Sequence, residues 1–551
     1  MVVLKAILML FAGLGTFMIG LDSMGKNLES FSGDRLRNLF TKISNKKVLG
    51  IATGCLTTIL TQSSSATTVM VVGFVNTGLM SLIQATAIIM GANIGTTVTA
   101  YLIALQDLPV AGFFCALACV GVFMQMTKKS KIKNLGTIFS GIGLLFTGLY
   151  VMSSSMTSVL EINKEAITEL ILSLSKYKIV LILIGALLTM ILQSSAGTTS
   201  ILIGLCTSGA MPLEPALFVT LGMNIGTCIT AIISSIGAST NAKRASMVHL
   251  LFNIIGTIIF GIILLIFGNK IMAIISGLNI IISMKIAIFH TIFNVTTTLL
   301  MFPLMKQLTQ LASLIIPEPK AKAEAKPIVK IDEFKFVDNR LINTPAIAMI
   351  MLRKEITQMA IDAKTNLELA MNMLFEKNID KKEEFVSREK HIDFLNKQLS
   401  KFLVKISNQQ ITYENEKEIA AYYHNISDIE RIGDYAENIV EYTEELINAN
   451  VDFSNECKKE LLDMQNAVYN EMNVTISSFE KKSLEELSEV EAYEDLTDTF
   501  FNKLSENHII RLNSGLCKAE SASVFISLIG NLERIGDHTM NIFNSMKTYI
   551  K

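Results

Sequence analysis

The sequence predicts an all-α protein with a polytopic membrane half followed by a soluble helical half. Of its 551 residues, 50% are hydrophobic and 18% are charged, which disfavours a soluble globule throughout. Residues 1–310 contain 19 Lys and Arg against 8 Asp and Glu, whereas residues 311–551 contain 29 against 41. In the first half a short polar string interrupts an apolar segment twice, at positions 131 residues apart.

Each polar string is followed, at the same distance, by a second one. The first pair is Gln62-Ser-Ser-Ser-Ala-Thr-Thr68 with Gly91-Ala-Asn-Ile-Gly-Thr96, and the second pair is Gln193-Ser-Ser-Ala-Gly-Thr-Thr199 with Gly222-Met-Asn-Ile-Gly-Thr227. A duplicated membrane unit with the same polar break is typical of secondary transporters that bind substrate between two repeats. The alternative is that small residues only let helices pack closely. Packing alone would not need Gln and Asn at repeated positions.

Seven apolar stretches approach the ~20 residues that cross a bilayer. They are 4–24, 81–104, 109–126, 132–154, 214–236, 243–268 and 284–306. Two further segments, 47–75 and 177–207, are broken midway by the polar strings. Because irregular backbone cannot face lipid, we predict both as re-entrant helical hairpins.

This assignment predicts two inverted repeats, about 4–126 and 132–268, followed by a final helix at 284–306. Because the first repeat crosses the membrane three times, the second repeat begins on the opposite side of the membrane. With the amino terminus outside, cytoplasmic loops contain twelve Lys and Arg and outer loops four, which favours this orientation. Seven crossings then leave the carboxyl-terminal half in the cytoplasm.

The polar strings have the chemistry of an anion site. A half-helix that restarts at a break offers unpaired N–H groups and a partial positive charge. Hydroxyl and amide groups can donate to an anion, and their oxygens can coordinate a hard cation. Further candidate side chains are Thr198, within the second break string, and Asn93, Thr96, Asn224 and Thr227 in the helices that follow the breaks.

The scarcity of charge around these strings predicts coupling to a cation. Residues 48–127 contain one acid, Asp107, and no Lys or Arg, and residues 179–242 contain only Glu214. Isolated net charge is costly in a low dielectric, so cations must travel with the anion. The strings hold no carboxylate for a proton relay, and neutral oxygen ligands suit Na+ instead.

The duplicated Gln-Ser-Ser strings resemble the type II sodium/phosphate cotransporters and their bacterial relatives, over residues 4 to about 306. The resemblance implies that both hairpins hold phosphate and sodium near the membrane centre. By matching position, it assigns this role to Gln62, Ser63, Ser64, Ser65, Gln193, Ser194 and Ser195. The chain has Ala196 where the family has a third serine, so Thr198 or Thr199 would have to supply that ligand.

The pattern of the second half predicts a helical bundle that follows a polar linker, 311–343. Helical patterns begin at Pro345 and recur near 382–408, 412–447, 455–481, 484–512 and 519–549. Glu430-Arg-Ile-Gly-Asp434 recurs as Glu533-Arg-Ile-Gly-Asp537, which indicates two three-helix units.

Acids four residues apart lie on one helix face, and acidic faces inside a bundle can hold a metal cluster. The repeated string resembles the acidic motif of PhoU-type phosphate regulators, over about 345–548. The resemblance implies a divalent or iron cluster held by Glu430, Asp434, Glu533 and Asp537. The alternative is a solvated face paired with Arg431 and Arg534.

Together these observations predict a sodium-coupled phosphate symporter of a bacterial inner membrane that works by alternating access. The domains are 1–310, the linker 311–343 and a regulatory PhoU-like domain, 344–551. Another small oxyanion or a membrane phosphate sensor are the alternatives, and no catalytic spacing indicates an enzyme. Expected partners are phosphate, sodium ions and the lipid bilayer, with no nucleic acid; a second copy of the chain and a phosphate-signalling protein are further candidates.

Overall fold

The protein is described by a computed structural model covering residues 2–31, 46–108, 111–318, 334–342, 344–409, 411, 413–515 and 519–550. Throughout this part the chain is helical, with turns and short 3-10 segments between helices and no β-strand. The all-α prediction is therefore confirmed. The chain forms two compact units that divide near residue 320.

The first unit contains twelve α-helices within the described residues. They are α1 (Val2–Phe31), α2 (Lys47–Thr61), α3 (Ser64–Asn76), α4 (Leu82–Ala104), α5 (Ala111–Gln125), α6 (Ser130–Ser175), α7 (Lys178–Leu192), α8 (Ser195–Thr207), α9 (Leu213–Ser234), α10 (Thr240–Gly277), α11 (Ile282–Met301) and α12 (Met305–Ile315). In this part of the chain, α1, α4, α6, α9, α10 and α11 are long and apolar enough to cross a membrane. These helices correspond to six of the seven predicted spans.

The predicted span at 109–126 is only partly covered, because residues 109 and 110 lie outside the described residues. Within them, helix α5 has 15 residues, about 22 Å of helix, which is less than the roughly 30 Å bilayer core. Met126 is apolar but lies in the turn after α5, so it lengthens the hydropathy signal without lengthening the helix. The helix packs along α6, where Gln125 Nε2 donates to Ser140 Oγ at 2.7 Å.

The segments around the predicted linker are more ordered than the composition suggests. Its first residues lie in α12, whose Leu308 and Ala312 are buried in the same apolar cluster as Phe252 of α10. In the second unit, the backbone N–H groups of residues 335–337 donate to the buried carboxylate of Glu355. Burial and these hydrogen bonds stabilise the two described parts of the predicted linker, and its residues 319–333 and 343 lie outside the described structure.

Glycines bring the helices of the first unit into close backbone contact. Helix α2 packs along α4, and α7 packs along α9. A Cβ on Gly91 would lie 2.0 Å from the carbonyl oxygen of Ile51, and one on Gly222 would lie 1.9 Å from that of Ile182. Only a residue without a side chain permits this approach. The glycines of the second polar strings therefore allow close backbone approach between paired helices.

The second unit contains six α-helices among the described residues, as predicted. They are α13 (Pro345–Glu376), α14 (Lys382–Ser407), α15 (Tyr413–Asn448), α16 (Asn455–Lys481), α17 (Leu487–Asn513) and α18 (Ala519–Met546). Helices α13–α15 pack together, as do α16–α18, and the groups meet through α13 with α16 and α15 with α18. Residues of both groups, among them Ile356, Ile432, Met472 and Ile542, line one small apolar cavity, so the two groups share part of their core.

Candidate functional site

Both polar strings break their helices with the same backbone geometry. Helix α2 ends at Gln62 (φ 53°, ψ 24°) and α7 at Gln193 (φ 49°, ψ 25°). The next residues, Ser63 and Ser194, are extended and cap α3 and α8 through their hydroxyl oxygens. A left-handed conformation is costly for a residue with a Cβ and is concentrated at functional sites. Because left-handed residues are also common at helix C-termini, this conformation locates the break, and the function of the glutamines must be argued from their side-chain contacts.

The chain turns back on itself at each break. Thr58 Oγ1 and Thr67 Oγ1 lie 3.1 Å apart, and the equivalent atoms of Thr189 and Thr198 lie 3.0 Å apart. Residues nine apart in a continuous helix would be separated by about 13 Å along its axis, so the paired helices must converge. Each pair is a helical hairpin closed by two threonines. Sequence reasoning selected only Thr198 of these four, although all recur at the repeat spacing.

The first turn of α3 and of α8 presents free donors. The backbone N–H groups of Ser64, Ser65, Ser195 and Ala196 precede the first intrahelical bond and have no acceptor within their helices. Within the described residues, the hydroxyls of Ser65 and Ser195 form no hydrogen bond, and both side chains are partly exposed. Thr199 donates its hydroxyl to the carbonyl oxygen of Ser195 at 2.7 Å. Both termini therefore have the donors that an anion requires.

The two glutamines at the breaks differ in their partners. Gln62 Nε2 donates to the carbonyl oxygen of Ile59 at 2.6 Å, and its Oε1 accepts from Thr99 Oγ1 at 3.1 Å. Gln193 is exposed, and its side chain forms no hydrogen bond in the described structure. The first break is thus attached to α4 by a residue that sequence reasoning missed. The sequence signal that could have identified Thr99 is the duplication, because Thr230 occupies the equivalent position in the second repeat.

The asparagines of the second strings have equivalent hydrogen bonds within their own helices. Asn93 Nδ2 donates to the carbonyl oxygen of Ile89, and Asn224 Nδ2 to that of Thr220, both at 2.9 Å. The nearby threonines also bond within their helices. Thr96 donates to Ala92 O and Thr227 to Met223 O, both at 3.0 Å.

The two asparagines differ at their oxygens. Asn224 Oδ1 lies 3.1 Å from His290 Nε2, and an amide oxygen only accepts, so His290 donates this bond. His290 thus forms a hydrogen-bonded contact between α11 and α9. In the described structure neither ring nitrogen of the buried His249 has a partner.

The hairpins pack crosswise against the opposite repeats. Helix α3, which follows the first break, packs against α9, which carries Asn224. Helix α8, which follows the second break, packs against α4, which carries Asn93. Each restarting helix therefore contacts the helix that holds the other repeat's asparagine.

The four acids predicted to hold a metal fall into two clusters. Glu430 and Asp434 lie near Asp393 of α14, and Glu533 and Asp537 lie near Asp498 of α17. Each cluster therefore belongs to one three-helix group. Arg431 also pairs with Asp434 at 3.2 Å, and Arg534 with Asp537 at 3.7 Å, as the solvated-face alternative expects.

Each acidic cluster includes a buried carboxylate that the motif did not identify. A Cβ on Gly433 would lie 2.6 Å from Glu389 Oε1, and one on Gly536 would lie 3.2 Å from Glu471 Oε2. Glu389 Oε1 and both oxygens of Glu471 are buried without a hydrogen-bond partner among the described residues. A buried carboxylate oxygen without a hydrogen-bond partner can be stabilised by a bound cation or by a proton that the carboxyl group retains. No three Asp, Glu, His or Cys side chains of the described chain converge as metal ligands in this structure.

Burial makes these carboxyls weak acids. It raises the pKa of Glu471 to about 9, with further increases from Glu494 and Asp537. Burial also raises the pKa of Glu389 to about 7, although a hydrogen bond from Asn366 opposes the increase. Both residues therefore retain a proton above the pH at which an exposed glutamate ionises.

We expect Glu471→Gln to stabilise the second unit at high pH in chelator-treated protein. The pKa of Glu471 rises from 4.5 unfolded to about 9 folded, so the folded protein binds more protons between these values. Wild-type stability therefore falls as pH rises through this window, and the glutamine variant avoids that loss. In thermal denaturation the variant should match wild type near pH 5 and exceed it at pH 8.5.

The exposed Glu480, on the same helix α16, provides the control. Glu480→Gln should follow the wild-type pH profile. A Glu471→Gln profile that runs parallel to wild type from pH 5 to 8.5 would contradict the assignment of a retained proton.

Family comparisons agree with both units and both duplications. The Na+/Pi-cotransporter profile matches residues 16–154 and again 152–288. The PhoU domain profile matches residues 356–443 and 461–546. Each half of the chain thus contains a duplicated unit.

Individual relatives extend the similarity. YjbB of Escherichia coli (strain K12), whose name describes inorganic phosphate export, is 23% identical over 91% of this chain and 90% of its own length. YqeW of Bacillus subtilis (strain 168), an uncharacterized protein, is 30% identical over 55% of this chain and 95% of its own. The mouse sodium-dependent phosphate transport protein 2A is 39% identical over 19% of this chain and 16% of its own.

No solved structure matches the chain. The twin hairpins, the repeated profile matches and the coverage of YqeW nevertheless agree on one assignment. The chain belongs to the Na+/Pi-cotransporter family and carries a C-terminal pair of PhoU domains.

Proposed function

We propose that the protein is a symporter that moves inorganic phosphate together with Na+ across a bacterial inner membrane. The observation that carries this proposal is the equal geometry of the two breaks. Each break presents free N–H and hydroxyl donors in a stretch without Lys or Arg. The phosphate ligands are proposed to come from Gln62, Ser63, Ser64, Ser65, Gln193, Ser194 and Ser195.

Sodium coupling follows from the charge of the proposed ligands. Hydroxyl and amide groups are neutral, and a helix terminus supplies only about half a positive charge. A phosphate anion therefore needs accompanying cations when it leaves water. The nearby amide and hydroxyl oxygens, in Asn93, Thr96, Thr198, Asn224 and Thr227, are proposed to hold Na+. The name of the mouse relative, which includes sodium dependence, supports this choice.

The transport cycle is proposed to be alternating access between two inverted repeats, with each hairpin re-entering the membrane from its own side. The crosswise packing of α3 with α9 and of α8 with α4 supports a shared site between the repeats. The second unit is proposed to be cytoplasmic and regulatory. Net direction in the cell depends on the gradients, since a symporter runs either way, and the name of YjbB describes export.

Flux in sealed vesicles tests the proposal. Purified protein in liposomes should move labelled phosphate down an imposed Na+ gradient in either direction, and an equal K+ gradient should not drive this movement. Competition by arsenate and sulfate distinguishes another oxyanion transporter. A phosphate sensor would bind phosphate without any flux, and that outcome would refute symport.

For the acidic clusters we retain the metal assignment as part of the regulatory role. Glu430 with Asp434, and Glu533 with Asp537, are proposed to hold a divalent or iron cluster, because orphaned carboxylates lie beside each pair. Calorimetric titration of chelator-treated protein with Mn²⁺ should show sites that are weakened by E430Q/D434N and by E533Q/D537N. Unchanged binding in both double variants would instead favour surface ion pairs with Arg431 and Arg534.

A further inference from the structure

Helix α11 stands outside the two predicted repeats and contacts both of them. It packs against α4 of the first repeat and against α8, α9 and α10 of the second. Its middle carries His290 and Asn294, both buried. A helix in this position can add ligands to a site that the repeats alone do not complete.

Polar contacts between α11 and α4 set the register of this antiparallel pair. Ser283 Oγ donates to the carbonyl oxygen of residue 104 at 3.4 Å, and Thr298 Oγ1 donates to that of residue 90 at 3.5 Å. Because both helices rise equally per residue, these contacts place Asn294 at the level of Asn93.

The direction of the Asn294 side chain follows from its neighbours on α11. Thr291 bonds to Tyr101 of α4 at 3.1 Å, and Thr298 lies against α4 as well. Asn294 falls between them on the same helix stripe. One turn earlier, His290 donates to Asn224 of α9. Asn294 therefore points to the junction of α4 and α9, where the two predicted asparagines lie.

The oxygen of Asn294 has no partner of its own. Asn294 is 0% exposed, its Nδ2 donates to the carbonyl oxygen of His290 at 2.9 Å, and its Oδ1 is buried without a hydrogen bond in the described structure. Leaving a buried acceptor unpaired costs about 1–3 kcal/mol. An amide oxygen only accepts, so a donor or a bound cation would remove this cost.

The two repeats differ in the hydrogen bonds of their asparagine oxygens. The oxygen of Asn224 already accepts from His290, whereas Asn93 Oδ1 forms no hydrogen bond within the described residues. Among these three asparagines, Asn93 and Asn294 are therefore the two whose side-chain oxygens have no hydrogen-bond partner in the described structure. Both are neutral, as the sodium ligands of the proposed function are.

We infer that Asn294 is a Na+ ligand contributed by α11, acting together with Asn93, while His290 positions Asn224. This inference rests on the proposed sodium coupling. It adds a third helix to the site formed by the hairpins and makes the cation site asymmetric between the repeats.

Asn294→Leu tests the inference with Asn253→Leu as a matched control. Asn253 is also 0% exposed, bonds to the carbonyl oxygen four residues earlier at 3.0 Å and has an unpaired Oδ1, but its Nδ2 faces Cys228 at 3.3 Å. Two readouts are used on the full chain in liposomes or detergent: Na+-dependent phosphate flux, and Na+-induced thermal stabilisation.

N294L should raise the half-saturating Na+ concentration about tenfold or more in both readouts, equivalent to about 1.4 kcal/mol. Its half-saturating phosphate concentration at high Na+ should stay near wild type, and N253L should keep the wild-type Na+ response. If N294L fails to fold, Asn294→Ala gives the same comparison with a smaller side chain.

Two results would overturn the inference while leaving the proposed function intact. They are a wild-type Na+ response in N294L, and an equal shift in N253L, which would indicate general packing. A wild-type protein whose flux and stability ignore Na+ would refute the proposed coupling and this ligand together.

Discussion

Gln62→Ala is expected to lower Na+-driven phosphate flux by about 100-fold or more while the protein still folds. The side chain joins the break to α4 through Thr99 and to the end of α2 through Ile59. Its loss frees the break to shift, and a displacement of about 1 Å at a binding site can cost about 100-fold. Labelled phosphate uptake in liposomes, normalised to incorporated protein, gives the measurement.

Gln62→Gly separates the side chain from the backbone. Glycine adopts the left-handed conformation freely, so this variant relieves strain that Gln62→Ala retains. It should be at least as stable as the alanine variant and equally inactive. Recovery of flux in Gln62→Gly would show that the amide is needed only to hold the left-handed break in place and not to contact the substrate.

Gln193→Ala provides the comparison in the second repeat. Gln193 is exposed and has no hydrogen bond within the described residues, so its removal disturbs no interior contact. We expect it to abolish coupled flux through lost substrate contact alone, with thermal stability close to wild type. Near-normal flux in this variant would remove the second break from the proposed site.

Gly222→Ala is expected to prevent stable assembly of the membrane unit. Its Cβ would lie 1.9 Å from the carbonyl oxygen of Ile182, which is backbone and cannot rotate away. Helices α7 and α9 would have to separate, and overpacking of this kind costs about 1–3 kcal/mol or more. Size-exclusion chromatography of detergent-solubilised protein should show loss of the monodisperse peak or a marked decrease in thermal stability.

Gly261→Ala is the matched control on α10. A Cβ there meets nothing within 4 Å, so alanine gains helix propensity without a clash. We expect stability equal to wild type or higher by roughly 0.5–1 kcal/mol. A Gly222→Ala protein as stable as this control would mean that the close approach of α7 and α9 is not needed for folding.

Helix positions and the two breaks could be predicted because their signals are local. Apolar length, helical periodicity and the change from apolar to Ser-rich residues at 62 and 193 are all read from neighbouring residues. The same locality limits the prediction at α5, where an apolar flank extended the expected span. It also limits α12, where burial against α10 stabilises a helix that the following polar composition hides.

The sequence by itself determined the helical fold class, the duplications in both halves and the residue types available at each break. Tertiary packing alone decided which side chains meet across helices. The pairs are His290 with Asn224, Thr99 with Gln62, and Glu471 with the second acidic cluster. Partners that lie on different helices are set by the rotation and register of whole helices. Those depend on burial summed over many side chains, and no single stretch of sequence carries that sum.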